Sequence, residues 1–275
     1  MNPDPYLRAF NVQNPEPYAQ TPRAHLWRVD GADGPAVLKV LTDRGLNAGE
    51  MIGAKLLKLW NGRGAVRLLA HSDNAMLLEW LEGPALKDWL PEGRDQDAAR
   101  IIAEVSGKLR HPAEDGYLAL ENHFGGTIYQ TNADTFPATH RKAFRRAQGM
   151  WQYLLESTKE TCLMHGDLNY ENIMWSGRGW CAIDPKGILA DPCYEFGIAF
   201  RNPVNDANRI AKPERISALA GLLASHTGLD KTRILQFGFV HVAMSLAYHW
   251  ARGNFSEADA AILAGFDSLK LPSSP

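Results

Sequence analysis

The stretch His165-Gly166-Asp167-Leu168-Asn169-Tyr170-Glu171-Asn172, followed by Ile183-Asp184, reads H-x-D-x4-N with a second Asp twelve residues after the Asn. These residue types are the ones that phosphoryl transfer demands. A carboxylate must accept the proton of an attacking hydroxyl, and hard oxygen ligands must hold the magnesium that neutralises phosphate oxygens. Asp167 is the candidate for the first task, Asn172 and Asp184 for the second. Between them lies a short hairpin: Ile173-Met174-Trp175, the turn Ser176-Gly177-Arg178-Gly179, then Trp180-Cys181-Ala182-Ile183. A hairpin folds back on itself, so Asn172 and Asp184 at its two ends come together. The apolar run Cys162-Leu163-Met164 reads as the strand that delivers Asp167. Asp and Asn are also ordinary turn residues, and an H-x-D pair alone would be loop chemistry. Three such residues bracketing a hairpin at this spacing carry the reading further.

Working outward, 26–29 and 36–40 read as strands around a turn at 30–35. Ile52, Leu56, Leu59 and Trp60 have helical spacing and predict a helix over 47–60, stopped by Asn61-Gly62. Strands are expected at 65–70 and 75–80, and Glu82-Gly83-Pro84 then breaks the pattern. Beyond the break, helical patterns cover 86–90, 97–109, 138–159, 191–200, 213–227, 231–252 and 256–269. The segment 115–135, with Gly116, Gly125 and Gly126, reads as a long loop near the mouth of a cleft. The expected class is α+β, in two lobes: residues 1–81 for nucleotide and 82–275 for catalysis and substrate.

The bulk properties narrow the partners. At 275 residues with 45% hydrophobic content the chain can bury a sizeable core, and a net charge of -2 argues against a nucleic-acid binder. Arg141, Lys142, Arg145 and Arg146 fit a solvated helix face. The first residues lack the basic and apolar regions of a signal peptide. The apolar stretch 237–247 is interrupted by His241 and Ser245 and is too short to span a bilayer. Cys162, Cys181 and Cys193 show no paired spacing and read as reduced core thiols. A cytoplasmic protein with no membrane or nucleic-acid partner, monomeric or homodimeric, is expected.

An ATP site also needs a lysine for the phosphates. Lys39, in Val37-Leu38-Lys39-Val40, matches the strand lysine of kinases in type and context. A strand Lys is otherwise an ordinary solvent-facing residue. Glu50, eleven residues on, is the candidate to orient it, sharing a face with Gly53, Ala54 and Leu57. The run Met76-Leu77-Leu78-Glu79-Trp80-Leu81 would offer backbone groups of Glu79, Trp80 and Leu81 to adenine. The loop before Lys39 (residues 19–25) contains no glycine, leaving backbone amides, Thr21 or Arg23 as phosphate contacts. There is no G-x4-G-K-[ST], no G-x-S-x-G and no H-E-x-x-H, and Gly62-x-Gly64 lacks a third glycine.

The chain resembles the aminoglycoside phosphotransferases, whose catalytic loop is typically H-G-D-x4-N, with Gly where protein kinases have Arg, as at Gly166. The run Ala182-Ile183-Asp184-Pro185-Lys186-Gly187, Asp191-Pro192-Cys193-Tyr194-Glu195 and Arg201-Asn202-Pro203 is similar to the streptomycin 6-kinase and hydroxyurea-resistance branch. The resemblance implies a protein-kinase-like bilobal fold. It has a small antiparallel β-sheet N-lobe with one main helix and a larger, mainly helical C-lobe carrying the catalytic hairpin. It also implies ATP and Mg2+ as cofactors, Asp167 as base, Asn172 and Asp184 as magnesium ligands, and Lys39 on phosphate. The acceptor would be a small-molecule hydroxyl of streptomycin type. Lys186 would touch phosphate or lie at the surface. His165 would anchor the loop, and Asp191 would cap a helix.

Asn169-Tyr170-Glu171 departs from the branch. Tyr170, Glu171 and Glu195 are the substrate candidates, with Asp206, Glu257, Asp259, Tyr248 and Trp250 as further ones. Alternatives are a kinase for homoserine, choline, a ketosamine or a macrolide, a nucleotide-binding pseudokinase, or a hydrolase using Asp167 and Asp184.

Overall fold

The computed structural model describes residues 1–91, 93–204 and 206–272. Helix α1 (Asp4–Phe10) leads into a five-stranded antiparallel sheet of β1 (Gln13–Gln20), β2 (Ala24–Gly31), β3 (Gly34–Leu41), β4 (Leu68–His71) and β5 (Ala75–Glu79), in the order β1-β2-β3-β5-β4. The period of two places Ala36, Leu38 and Val40 of β3 against Trp27 and Val29 in one core. Val37 and Lys39 then fall on the opposite face, and Lys39 pairs with Leu26 on one side and Met76 on the other.

Two elements here carry no sequence signal. Strand β1 has two prolines, and none of its residues is buried. Polar residues and Pro are what an edge strand tolerates. Helix α1 has no buried residue either.

The helix expected over 47–60 begins only at Ile52, as α3 (Ile52–Trp60), and a separate short helix, α2 (Asp43–Asn47), precedes it. Gly49, at φ 74°, turns the chain between them. Glu50 therefore sits in the turn that precedes α3 and not on its face.

The second part comprises α4 (Leu86–Trp89), α5 (Asp95–Leu109), β6 (His111–Pro112), β7 (Leu118–Ala119), α6 (Leu120–Gln130), α7 (Ala138–Ser157), β8 (Cys162–Met164), β9 (Ile173–Ser176), β10 (Gly179–Ala182) and β11 (Ile188–Ala190). A 3-10 helix over Pro192–Arg201 follows, then α8 (Ala207–Ile210), α9 (Pro213–Thr227), α10 (Lys231–Trp250) and α11 (Glu257–Ser268). Strands β9 and β10 form the expected hairpin, with Ser176 opposite Gly179.

Helix α10 is buried almost all round from Ile234 to Ala247, so it runs through the core and shows no amphipathic stripe. It lies close on the 3-10 segment because residue 238 is Gly: a Cβ there would stand 2.6 Å from Phe200 Cδ2. No helix among the described residues is long and apolar enough to cross a membrane.

The loop expected over 115–135 is corrected by α6, whose buried Leu120 and Ile128 join the large core. That packing outweighs Gly125 and Gly126. The basic cluster on α7 is more than a solvated face. Arg146 binds Asp267 Oδ1 at 2.7 Å and the Leu271 carbonyl at 2.7 Å, tying the chain's end to the core.

Candidate active site

The turn after β8 is set by backbone constraints. Gly166 has φ 82°, and a Cβ there would lie 2.4 Å from Ile188 Cγ1, so only glycine fits. The buried carboxylate of Glu195 accepts the N–H of His165 at 2.9 Å and of Gly166 at 3.0 Å. The His165 ring donates from Nε2 to the Ile183 carbonyl at 2.8 Å and accepts the Asp167 N–H on Nδ1 at 3.2 Å. Burial keeps it neutral, with its pKa lowered to about 4, and its ring stacks parallel to Trp60. The first half of the stretch is thus fixed to the hairpin, to α3 and to the 3-10 helix together.

Asp167 accepts hydrogen bonds from Asn169 Nδ2 and Asn172 Nδ2, both at 3.3 Å. Asn169 Oδ1 accepts the N–H of Glu171 and of Asn172, closing the loop on itself. Burial raises the Asp167 pKa to about 6, against the opposing pull of Lys186.

Across the hairpin, the Ile183 N–H bonds the Asn172 carbonyl at 2.9 Å. The next residue, Asp184, is held at φ 57°, a conformation rare for a residue with a side chain. Its carboxylate meets Lys39 Nζ at 2.5 Å and Lys186 Nζ at 3.0 Å. Burial works against its charge, but the two ammoniums outweigh burial and hold it well below the usual carboxylate range. Glu50 completes the cluster, at 3.4 Å from Lys39, 3.4 Å from Lys186 and 3.0 Å from Arg23.

Two cavities meet at this cluster. One, of about 460 Å³, has apolar walls from Leu26, Val37, Met76 and Leu78, with Lys39, Asn172 and Asp184 at its polar end and Glu79, Trp80 and Leu81 along its edge. The other, of about 710 Å³, is lined by Gly166, Asp167, Arg201, His241 and Tyr248 among others. Arg23, Glu50, Lys186 and Tyr248 border both. The Glu79 side chain turns away to accept the Arg67 N–H at 3.0 Å and to pair with Arg178 of the hairpin turn, which fixes that edge.

The three substrate candidates lie elsewhere. Tyr170 is 1% exposed and packs into the core. Glu171 is exposed and pairs with Lys87 at 3.0 Å. Glu195 is buried behind the loop, where its carboxylate accepts two backbone N–H groups. Residue order inside a loop says nothing of which way each side chain points. Asp206 pairs with Arg209, and Asp259 is buried against Arg201 and Ser245. Trp250 donates to Thr135 and packs on Phe136. Asp191 caps the 3-10 helix through the Cys193 N–H. Sequence reasoning missed Arg201 and His241 in the second cavity. Arg201 stood in the quoted R-N-P run, whereas His241 is masked by the apolar helix around it.

The profile described as "Aminoglycoside/hydroxyurea antibiotic resistance kinase" matches residues 10–253. A streptomycin 3''-kinase of Klebsiella pneumoniae is 30% identical over 239 residues, covering 84% of this chain and 85% of that protein. A streptomycin 6-kinase of Streptomyces griseus is 30% identical over 172 residues, 60% of this chain and 54% of that protein. Among solved structures, the aminoglycoside phosphotransferase APH(4)-Ia in complex with AMP-PNP and hygromycin B superposes with a TM-score of 0.64 at 14% identity, over 97% of this chain and 96% of that one. That likeness is one of fold.

Proposed function

The chain belongs to the aminoglycoside/hydroxyurea antibiotic resistance kinase family, and from that membership we propose that it transfers the γ-phosphoryl group of ATP to a hydroxyl of an aminoglycoside of streptomycin type. The observation that carries the proposal is the meeting of the two cavities at Glu50 and Lys186. Lys39, Asn172 and Asp184 line the nucleotide side and Asp167 the acceptor side. The relatives' names support the acceptor class, and the neighbour holding AMP-PNP supports an adenine nucleotide.

In this reading residues 1–81 bind nucleotide and 82–275 supply catalysis and acceptor binding. The apolar walls of the smaller cavity sandwich the base, bordered by the 79–81 backbone. Lys39, oriented by Glu50, contacts the phosphates, and Lys186 contacts the phosphoryl group nearest the acceptor.

The donor set fits a magnesium ion. Asp184 already gathers two cations, and Asn172, with its Nδ2 bound to Asp167, keeps Oδ1 for a hard cation. Magnesium bound there would neutralise charge on the phosphate oxygens. Asp167 orients the acceptor hydroxyl and takes its proton, while the fixed charges around it supply most of the acceleration. Use of ATP suits a cytoplasmic protein.

The test is product analysis after incubation with magnesium-ATP and, separately, streptomycin, other aminoglycosides, hydroxyurea and metabolic alcohols. A phosphorylated aminoglycoside supports the proposal. ADP with free phosphate and no phosphorylated acceptor means a hydrolase, and bound nucleotide with no turnover means a binding module.

A further inference from the structure

The turn between β1 and β2 lines the nucleotide cavity, and its hydrogen bonds decide what it can offer a phosphate. In protein kinases a glycine-rich loop covers the phosphates. Here the turn is Thr21-Pro22-Arg23-Ala24. The Thr21 N–H donates to the Ala24 carbonyl at 2.9 Å, and Pro22 has no N–H to give. The N–H groups of Arg23 and Ala24 donate to the Thr21 hydroxyl at 3.2 and 3.0 Å. That hydroxyl in turn donates to the Ala24 carbonyl at 3.3 Å. Every backbone donor of the turn is committed, and so is its hydroxyl.

Helix α2 then holds the turn in place. Thr42 donates its N–H to the Arg23 carbonyl and its hydroxyl to the Pro22 carbonyl, both at 2.9 Å. A Cβ on Gly45 would stand 2.3 Å from the Arg23 carbonyl oxygen, so helix and turn touch directly. Turning these amides towards a phosphate would break several hydrogen bonds together. What the turn has left is the Arg23 side chain. It borders both cavities, and its Nη1 meets Glu50 Oε1 at 3.0 Å, the same oxygen that Lys186 Nζ approaches at 3.4 Å. Lys39 takes the other oxygen, at 3.4 Å, from the nucleotide side. Arg23 and Lys186 are therefore neighbours at the junction of the cavities. A guanidinium carries five N–H donors in a planar fork, more than Glu50 can engage.

We propose that Arg23 does with its side chain what a glycine-rich loop does with its backbone, binding the terminal phosphoryl group beside Lys186 and neutralising its oxygens during transfer. The proposal rests on the kinase reading above and adds a catalytic residue to it. In the step itself, the acceptor oxygen forms the new P–O bond and its proton goes to Asp167. The bond between the γ-phosphorus and the bridging oxygen breaks, and ADP leaves with that electron pair. Arg23, fixed at the junction, faces the oxygens of the group that moves and not those of the product ADP.

The experiment is calorimetric binding of adenosine, ADP and AMP-PNP, with magnesium, to the wild type, Arg23→Met and Arg23→Lys. The Arg23 side chain is 41% exposed and Glu50 keeps Lys39 and Lys186 without it, so the variants should fold, which their thermal midpoints check. Arg23→Met should bind AMP-PNP about ten-fold or more weakly, with ADP within a few-fold and adenosine unchanged. Arg23→Lys, which keeps the charge and loses the fork, should recover part of the AMP-PNP affinity. If Arg23 served only to hold Glu50, its loss would act through Lys39, and ADP and AMP-PNP would weaken together. Equal losses for the two nucleotides, or an unchanged AMP-PNP affinity, would overturn the proposal and leave the kinase reading standing. A wild type that binds none of the three would overturn the kinase reading itself, and this inference with it.

Discussion

Replacing Glu195 with Gln should flatten one component of the protein's pH-dependent stability. Burial raises the Glu195 pKa from 4.5 to about 7, although its two backbone N–H bonds pull the other way. Between those values the folded chain holds a proton that the unfolded chain has released. Stability from this group is therefore full below pH 4.5 and falls as pH rises towards 7. The separation, at about 1.4 kcal/mol per unit, amounts to ~3 kcal/mol. Gln keeps the size and one acceptor oxygen but cannot titrate. Urea unfolding of both proteins from pH 4.5 to 8 isolates the effect as a difference, since every other titrating group is common to the pair. The variant should gain ~3 kcal/mol on the wild type across that window. Its turnover should nonetheless fall at pH 8, because the amide offers an N–H donor to one of the two backbone donors that pin the loop. A stability difference that does not change with pH would refute the buried carboxylate, and a changed KM with intact kcat would return Glu195 to the substrate site.

Three further outcomes are expected. Because Asp167 titrates at about 6 and must be unprotonated to act, kcat/KM should fall as pH drops through that value; a flat profile down to pH 5 would exclude it as the base. Lys186→Met should move that acid limb upward, since Lys186 lowers the Asp167 pKa, and by calorimetry should weaken AMP-PNP binding more than ADP binding; equal losses for both would remove Lys186 from the terminal phosphate. Gly166→Ala should cost on the order of 1–3 kcal/mol in thermal or urea denaturation, because its Cβ would stand 2.4 Å from Ile188 Cγ1 at a positive φ; an unchanged midpoint would mean that the turn relaxes freely.

Much of the site was legible because its chemistry is local in sequence. Asp167, Asn172 and Asp184 flank one hairpin, and a hairpin's geometry follows from its turn residues, so their convergence could be read directly. Lys39 was legible through the alternation of β3. What pairs with what across the cleft was harder. Glu50 was placed on a helix face, whereas Gly49 leaves it in a turn, from which it reaches Lys39, Lys186 and Arg23. Lys186 was ambiguous because a lysine two residues past an Asp says nothing of burial. Tyr170, Glu171 and Glu195 line neither cavity, because nearness to the loop in sequence does not fix which way a side chain points. Strand β1 and helix α6 escaped notice for opposite reasons: an edge strand needs no apolar pattern, and tertiary packing of Leu120 and Ile128 outweighs two glycines.

The most direct test of the account is Asp167→Asn, assayed for ADP release with magnesium-ATP and streptomycin and, in parallel, for AMP-PNP binding. The account predicts turnover lower by roughly 10²–10⁴ with nucleotide affinity unchanged, since Asp167 lines the acceptor cavity and not the nucleotide cavity. Turnover within a few-fold of wild type would contradict it.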